Sequence, residues 1–379
     1  MNRMGARAKR LVVVPSDPME AYEKAGYERL ERYFNPGGCF EEVIVVSPME
    51  REERRAYGMR VIGIQWGEFP GRVGELQPDA IRAYGGYWPA DLACLERVDG
   101  IPVVASVHDT LESNVHPSLR FADLVLCVSE AVKQKVLARG VRADRIRVLP
   151  NRIDPEIFHP VEDPAALRRI ADRFPSGRAI LHVGRQCDQK APDDVIRALR
   201  SLPKEYFAVF VGAGDPSEYE RMARLEGLSE RCFWVESVPN SELPVWYSWC
   251  DCMCTPSRWE GFGIVFLEAA ACGSAIVTRD IAPMNEYLKN DVSAALVGPM
   301  GLFDQSLARA IRKVCEDEAY RAALRRGALE AARPFDRAVV DRLEIGYYEE
   351  ALALRPMGAS RRLGLKLFKM FHRPPAVPS

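Results

Sequence analysis

Short apolar runs rich in β-branched residues recur along the chain, separated by stretches with the period of an amphipathic helix. In the first half the runs fall near Leu11–Val14, Glu42–Val46, Val61–Ile64, Ala80–Ala83, Val103–Val107, Leu124–Val128 and Ile146–Leu149. In the second half they fall near Ala179–Val183, Ala208–Val211, Cys232–Val235, Asp251–Thr255, Ala275–Thr278 and Ala294–Val297. Strands that alternate with helices predict an α/β architecture of parallel sheets with helices on both faces. Between Asn151 and Ser176 the rhythm breaks, and Pro155, Pro160, Pro164 and Pro175 stand among charged residues, as a domain linker requires. The pattern therefore predicts a first domain over residues 1–160 and a second over 176–335. A helix from Asp336 to Leu352 follows the Pro334 break and is expected to cross back to the first domain, ahead of a tail over 353–379.

Composition narrows the class. A chain of 379 residues exceeds one ordinary core, and 47% hydrophobic with 28% charged residues is a soluble globular balance. A net charge of −1 gives no global electrostatic case for nucleic acid. No apolar run approaches the ~20 residues that span a bilayer. The stretch from Met1 to Arg10 is basic, but the run after it, Leu11–Val14, is a strand and too short for a signal-peptide core. The ten cysteines sit mostly in apolar runs, and Cys250, Cys252 and Cys254 alternate along a strand, which is not zinc-ligand spacing. Buried reduced thiols in a cytoplasmic protein are the expectation.

The segment from Glu260 to Glu268 concentrates the candidate chemistry. Gly261 and Gly263 frame a turn that lets backbone approach a ligand, and residues 264–272 read as a short buried helix with Gly273 as its cap. Glu268 has only Ile264, Val265, Ala271 and Cys272 as helical neighbours, so the acid needs a partner, for which a ligand hydroxyl or a core Arg would serve. The first N–H groups of that helix favour an anion such as phosphate. In open parallel sheets ligands sit beyond the carboxyl ends of strands. There this chain carries Gly184-Arg185 and Lys190 after one strand, Gly212-Ala213-Gly214-Asp215 after the next, and Ser257 to Glu260 after a later one. Two cations, a helix N-terminus and a buried acid suit a nucleoside diphosphate, Arg185 as a fork and Lys190 as a point charge. Taken singly, Arg185 and Lys190 also fit a solvated loop, because Asp188, Asp193 and Asp194 lie nearby.

The same residues carry a resemblance. Gly184-Arg185-x4-Lys190, followed by Pro256-Ser257-x-x-Glu260-Gly-Phe-Gly-x4-Glu268-Ala-x-Ala-Cys-Gly273, resembles the retaining glycosyltransferases of family 4 with the GT-B fold. Val107-His108-Asp109, Val128-Ser129-Glu130 and Pro150-Asn151-Arg152-Ile153-Asp154 extend it upstream. The resemblance implies two Rossmann-like domains facing across a cleft, a UDP- or GDP-linked sugar held mainly by the second, and transfer with retention without a bound metal. It implies Arg185 and Lys190 on the diphosphate, Glu268 on the ribose hydroxyls, and Glu260 on the donor sugar. It further implies backbone N–H groups of Gly261, Phe262, Gly263 and Ile264 on sugar and phosphate oxygens, and His108 beside the reacting centre. Without it, His108 reads as a capped loop histidine. Retention by a nucleophilic carboxylate and by front-face attack both stay open. No Asp-x-Asp stands at a strand end, and Glu316-Asp317-Glu318 reads as solvent-facing charge.

This sequence departs from the family pattern at Arg152 and Ala191, where glycine is usual, at Ala275, where proline is usual, and at Ala282-Pro283 before Glu286, where a glycine pair is usual. The loop after the first strand reads Pro15-Ser16-Asp17-Pro18 instead of a glycine pair. After Glu350 there is no acidic residue, while Arg355, Arg361, Arg362, Lys366, Lys369 and Arg373 follow. Leu363, Leu367, Met370 and Phe371 share one helical stripe. Such a tail can lie on anionic lipid at the inner face of a membrane, or pack its stripe against the first domain. The leading expectation is an EC 2.4 glycosyltransferase acting on a glycan or lipid-linked acceptor in cell-surface polysaccharide or glycolipid assembly. A GT-B nucleotide-sugar epimerase and a catalytically silent sugar-nucleotide-binding or scaffold subunit are the alternatives.

Overall fold

The computed structural model describes residues 8–24, 26–27, 29–299, 301–355 and 357–372, so most of the basic Met1–Arg10 stretch and Arg373 lie outside the described residues. The chain divides into two compact units, Met1–Pro150 with Ala338–Ser379, and Asn151–Arg337.

The first unit is built on strands β1 (Ala8–Val14), β2 (Phe40–Ser47), β3 (Arg54–Ala56), β4 (Met59–Gly63), β5 (Ala80–Tyr84), β6 (Val103–Val107), β7 (Leu124–Cys127) and β8 (Ile146–Val148). They form one sheet in the order β3-β4-β2-β1-β5-β6-β7-β8, parallel throughout except for β3 against β4. Residues 11–14 of the central strand are fully buried, as a strand covered on both faces demands. β3 is absent from the sequence reading because its three residues include Arg54 and Arg55 and offer no apolar run. The helix Arg337–Ala353 belongs to this unit's core through Val340, Tyr348 and Ala351. Arg82 of β5 and Glu344 of that helix form an ion pair at 3.2 Å with both side chains buried.

The second unit holds β9 (Arg178–Val183), β10 (Tyr206–Val211), β11 (Cys232–Val235), β12 (Cys252–Cys254), β13 (Ile276–Arg279) and β14 (Ala295–Val297), all parallel, in the order β11-β10-β9-β12-β13-β14. Its boundary falls at Asn151, not at 160: Ile153 bridges Asp336, and Arg337 pairs with Asp154 at 2.6 Å, which ties the segment after Pro150 to the end of the second unit. The ten cysteines are free thiols, nine of them buried and Cys187 half-buried. Glu316 ends one helix and pairs with Arg312, while Asp317 caps the next by accepting from the Tyr320 amide.

Strand order fixes where a ligand can meet this unit. β9 pairs with β10 on one side and with β12 on the other, so chain order reverses between β9 and β12. That is the topological switch point of an open parallel sheet, where a crevice forms beyond the carboxyl ends. The loops leaving β9 and β12 are the ones that carry Arg185, Lys190 and Glu260.

Candidate active site

The loop after β9 is built for close approach. Gly212, at the end of β10, has φ of 149°, and a Cβ there would meet the Gly184 carbonyl oxygen at 2.1 Å, so only glycine lets the two strand ends lie together. His182 of β9 is fully buried and donates from Nε2 to the Lys190 carbonyl at 2.9 Å, which pins the loop from below. Burial holds this imidazole neutral, its pKa lowered to about 4. Ala191 adopts a left-handed conformation, φ 53° and ψ 51°, at the start of the helix Pro192–Leu199. The turn thus keeps the shape that glycine usually serves at this position, at a cost of roughly 1 kcal/mol to alanine.

A salt-bridge lattice joins this loop to the one after β12. Arg258 donates to both carboxylate oxygens of Asp193, at 3.1 and 2.7 Å, and to the Asp188 carbonyl at 2.6 Å. Arg279 pairs with Asp194 at 2.6 Å, and Arg197 contacts Asp193 and Asp194. Gln189 donates to the Trp259 carbonyl at 3.0 Å, and the Arg258 amide donates to the Gln189 carbonyl at 2.8 Å. Asp193 and Asp194 are thus engaged by Arg258, Arg279 and Arg197, whereas the exposed Arg185 meets Gln189 Oε1 at 2.9 Å.

Lys190 Nζ lies 2.5 Å from Glu260 Oε1, with 12% and 6% of the two side chains exposed. The turn after Glu260 then enters the helix Ile264–Ala271 through Gly263, at φ 81°, where a Cβ would strike the Phe266 ring at 2.7 Å. Phe262 is buried and stacks on Tyr287 at 5.1 Å between centroids, and the Tyr287 hydroxyl donates to the Gly263 carbonyl at 3.1 Å. The Phe262 ring is therefore packing, and the turn offers a ligand its backbone. The helix closes at Gly273, φ 66°, with the Gly273 and Ser274 amides donating back to Ala270 and Ala269.

Glu268 is 6% exposed, and its partner within the fold is the fully buried Tyr247, whose hydroxyl donates to Oε2 at 3.0 Å. Burial pushes the Glu268 carboxyl up to about 7, against the lowering effects of the Tyr247 hydrogen bond and the Lys190 charge. Among the described residues Tyr247 supplies this carboxylate's side-chain hydrogen bond, and a carboxylate can accept several.

His108, at the end of β6, belongs to the first unit. It is half-buried, and its Nε2 lies 2.8 Å from the Ser106 hydroxyl, which itself donates to the Ala83 carbonyl at 3.3 Å. Burial and the Arg82 guanidinium lower the His108 pKa to about 4. Among the described residues no group of three or more His, Cys, Asp or Glu is placed to hold a metal ion. In the second unit Arg185 and Lys190 follow β9, Glu260 and residues 261–263 follow β12, and Ile264 and Glu268 lie on the helix that continues from that turn, with Lys190 meeting Glu260. Sequence reasoning missed His182, Tyr247, Arg258 and Tyr287. Of these only Arg258, between Ser257 and Glu260, sits inside a visible motif.

Comparison with known proteins agrees with this geometry. The family model described as Glycosyl transferases group 1 matches residues 165–331, and that described as Glycosyltransferase Family 4 matches residues 64–157. A D-inositol 3-phosphate glycosyltransferase of Xylanimonas cellulosilytica is 32% identical over 245 residues, covering 62% of this chain and 58% of that protein. Among solved structures, sucrose-phosphate synthase of Thermosynechococcus elongatus superposes with a TM-score of 0.74 at 19% identity, over 91% of this chain and 99% of that one. Anabaena HepE in complex with UDP-glucose gives 0.72 at 19% identity, over 90% and 99%. The two parallel-sheet units are those of the GT-B fold, and the chain belongs to the group 1 glycosyltransferases.

Proposed function

We propose that the protein moves a sugar from a nucleoside-diphosphate sugar, UDP- or GDP-linked, to an acceptor hydroxyl with retention at the anomeric carbon. The observation that carries this reading is the Lys190–Glu260 contact at the switch point, beside Arg185 and the N-terminus of the helix Ile264–Ala271. Cations and aligned N–H groups there suit a diphosphate. Glu268, whose side chain is met by Tyr247 among the described residues, suits the ribose diol. The bond between the anomeric carbon and the phosphate oxygen breaks as the acceptor oxygen bonds that carbon, and Arg185 and Lys190 offset the charge that grows on the departing diphosphate. A carboxylate engaged by an ammonium at 2.5 Å is a poor nucleophile. That favours front-face attack, with the leaving oxygen taking the acceptor proton, over double displacement through Glu260. His108 is assigned, through the family resemblance, to the donor sugar, where a neutral imidazole serves as a hydrogen-bonding group.

The UDP-glucose held by the Anabaena relative supports a nucleotide-sugar donor. The Xylanimonas relative is named a D-inositol 3-phosphate glycosyltransferase. For this chain the proposed acceptor is a glycan or lipid-linked hydroxyl in cell-surface polysaccharide or glycolipid assembly, reached from the cytoplasmic side of a membrane. Incubation with UDP- and GDP-sugars and candidate acceptors should release nucleoside diphosphate and give a product whose anomeric configuration, read by NMR, matches the donor. Inverted product or no transfer with any donor would refute the reading. Because two cations offset the diphosphate charge, EDTA should leave the rate unchanged within about twofold. Loss of activity in EDTA with recovery in magnesium or manganese would show that a metal does that work.

A further inference from the structure

The last helix, Ala359–Phe371, rests on the first unit with its charged side inward. Arg361 donates to the carbonyl oxygens of Arg120 and Ala122 and pairs with Asp123 at 3.2 Å. Arg362 pairs with Asp99 at 3.1 Å, and Lys369 with Glu96 at 2.8 Å. The Phe368 ring packs 5.4 Å from Phe121 and 5.3 Å from the Arg120 guanidinium. At about 100° per residue these anchors occupy one side of the helix. Leu363, Leu367, Met370 and Phe371 fall on the other and are 59%, 50%, 73% and 86% exposed. An ordinary surface helix does the reverse, turning its apolar stripe to the core.

Two alternatives from the sequence are thereby separated. The stripe does not pack against the first domain. Of the tail's cations, Arg361, Arg362 and Lys369 are held by carboxylates and carbonyls of the protein itself, while Arg355 and Lys366 are exposed. The outward face is an apolar patch on the order of 500 Å², at the upper end for a monomer. Taken alone the patch is smaller than the roughly 800 Å² per copy that a stable dimer interface uses, so a two-fold dimer would also have to match the polar surface around it. A bilayer interface requires no complementary shape and accepts Leu, Met and Phe at a depth of ~5–10 Å.

We propose that this face inserts into the interfacial layer of a lipid bilayer, with Arg361, Arg362 and Lys369 clamping the helix to the protein and not to lipid headgroups. Attachment is then apolar: it should occur on neutral lipid and depend weakly on salt. It deepens the reading of a lipid-linked acceptor, yet donor turnover does not depend on it. The full chain should co-sediment with small vesicles of neutral phosphatidylcholine, with less than about twofold loss between low and physiological salt. The triple variant Leu363→Ser, Met370→Ser, Phe371→Ser should bind those vesicles at least about tenfold more weakly. It should keep wild-type melting and wild-type turnover on a soluble acceptor. The proposal is overturned if the wild type ignores neutral vesicles, or if binding needs phosphatidylserine and collapses with salt. It is equally overturned if the wild type is a dimer that the triple variant splits, or if the triple variant melts markedly lower, which would show the stripe packed in solution.

Discussion

Lys190→Ala is expected to lower transfer by about two to three orders of magnitude and to weaken nucleoside diphosphate binding. The ammonium stands at the switch point of the second sheet, where the phosphates of a donor would lie, and Arg185 is its one cationic companion in the candidate set. Lys190 also has a structural duty, because it faces the nearly buried Glu260 carboxylate at 2.5 Å. Removing one partner of such a pair costs about 3 kcal/mol, so the single variant should melt lower as well. The double variant Lys190→Met, Glu260→Gln separates the two effects: melting should recover while transfer does not. Full transfer in Lys190→Ala, measured as diphosphate release, would remove Lys190 from the mechanism.

Glu268→Gln is expected to bind donor tenfold to a hundredfold more weakly while gaining stability in mild alkali. The Glu268 carboxyl sits at about 7 in the fold against an ordinary 4.5. A raised acid stabilises the fold in its protonated form: that contribution is complete below about 4.5 and is lost as pH rises through about 7. The gap is worth about 3 kcal/mol, so the ligand-free wild type should lose stability across this window. Glutamine carries no charge at any of these pH values, keeps the shape and can still accept from Tyr247. Above neutrality the variant should melt roughly 5–10 °C higher than wild type. Ribose hydroxyls bond best to the ionised carboxylate, so wild-type donor affinity should rise from below to above pH 7 and that of the variant should not. Equal donor affinity in both proteins would sink the ribose assignment.

The sheets were readable because a buried parallel strand is a near-continuous apolar run with helical pattern on either side. Val103–Val107 and Cys232–Val235 coincide with their strands to the residue. β3 was not readable, since a three-residue edge strand bearing two arginines has no such run. The Glu260 to Glu268 segment was legible from local spacing alone: glycine turn, buried helix, acid without a polar neighbour. What the sequence hid was pairing at long range. Tyr247 reaches Glu268 from a different helix, His182 fixes Lys190 from inside a strand, and Arg258 holds Asp193 across the gap between two loops. None of these has a local signature, because the partners meet only through sheet order. The tail shows the same limit. Its stripe was visible, but which side faces the protein depends on Asp99, Asp123 and Glu96, far away in sequence.

A nucleoside-diphosphate site in the second unit should show in thermal unfolding of the full chain with UDP, GDP and ADP. At about a hundred times its dissociation constant, one of these ligands should add about 2.7 kcal/mol and raise the melting point by several degrees. The matching nucleoside should do far less, and Lys190→Ala should lose most of the shift. No shift with any nucleoside diphosphate, or an undiminished shift in Lys190→Ala, would contradict the site.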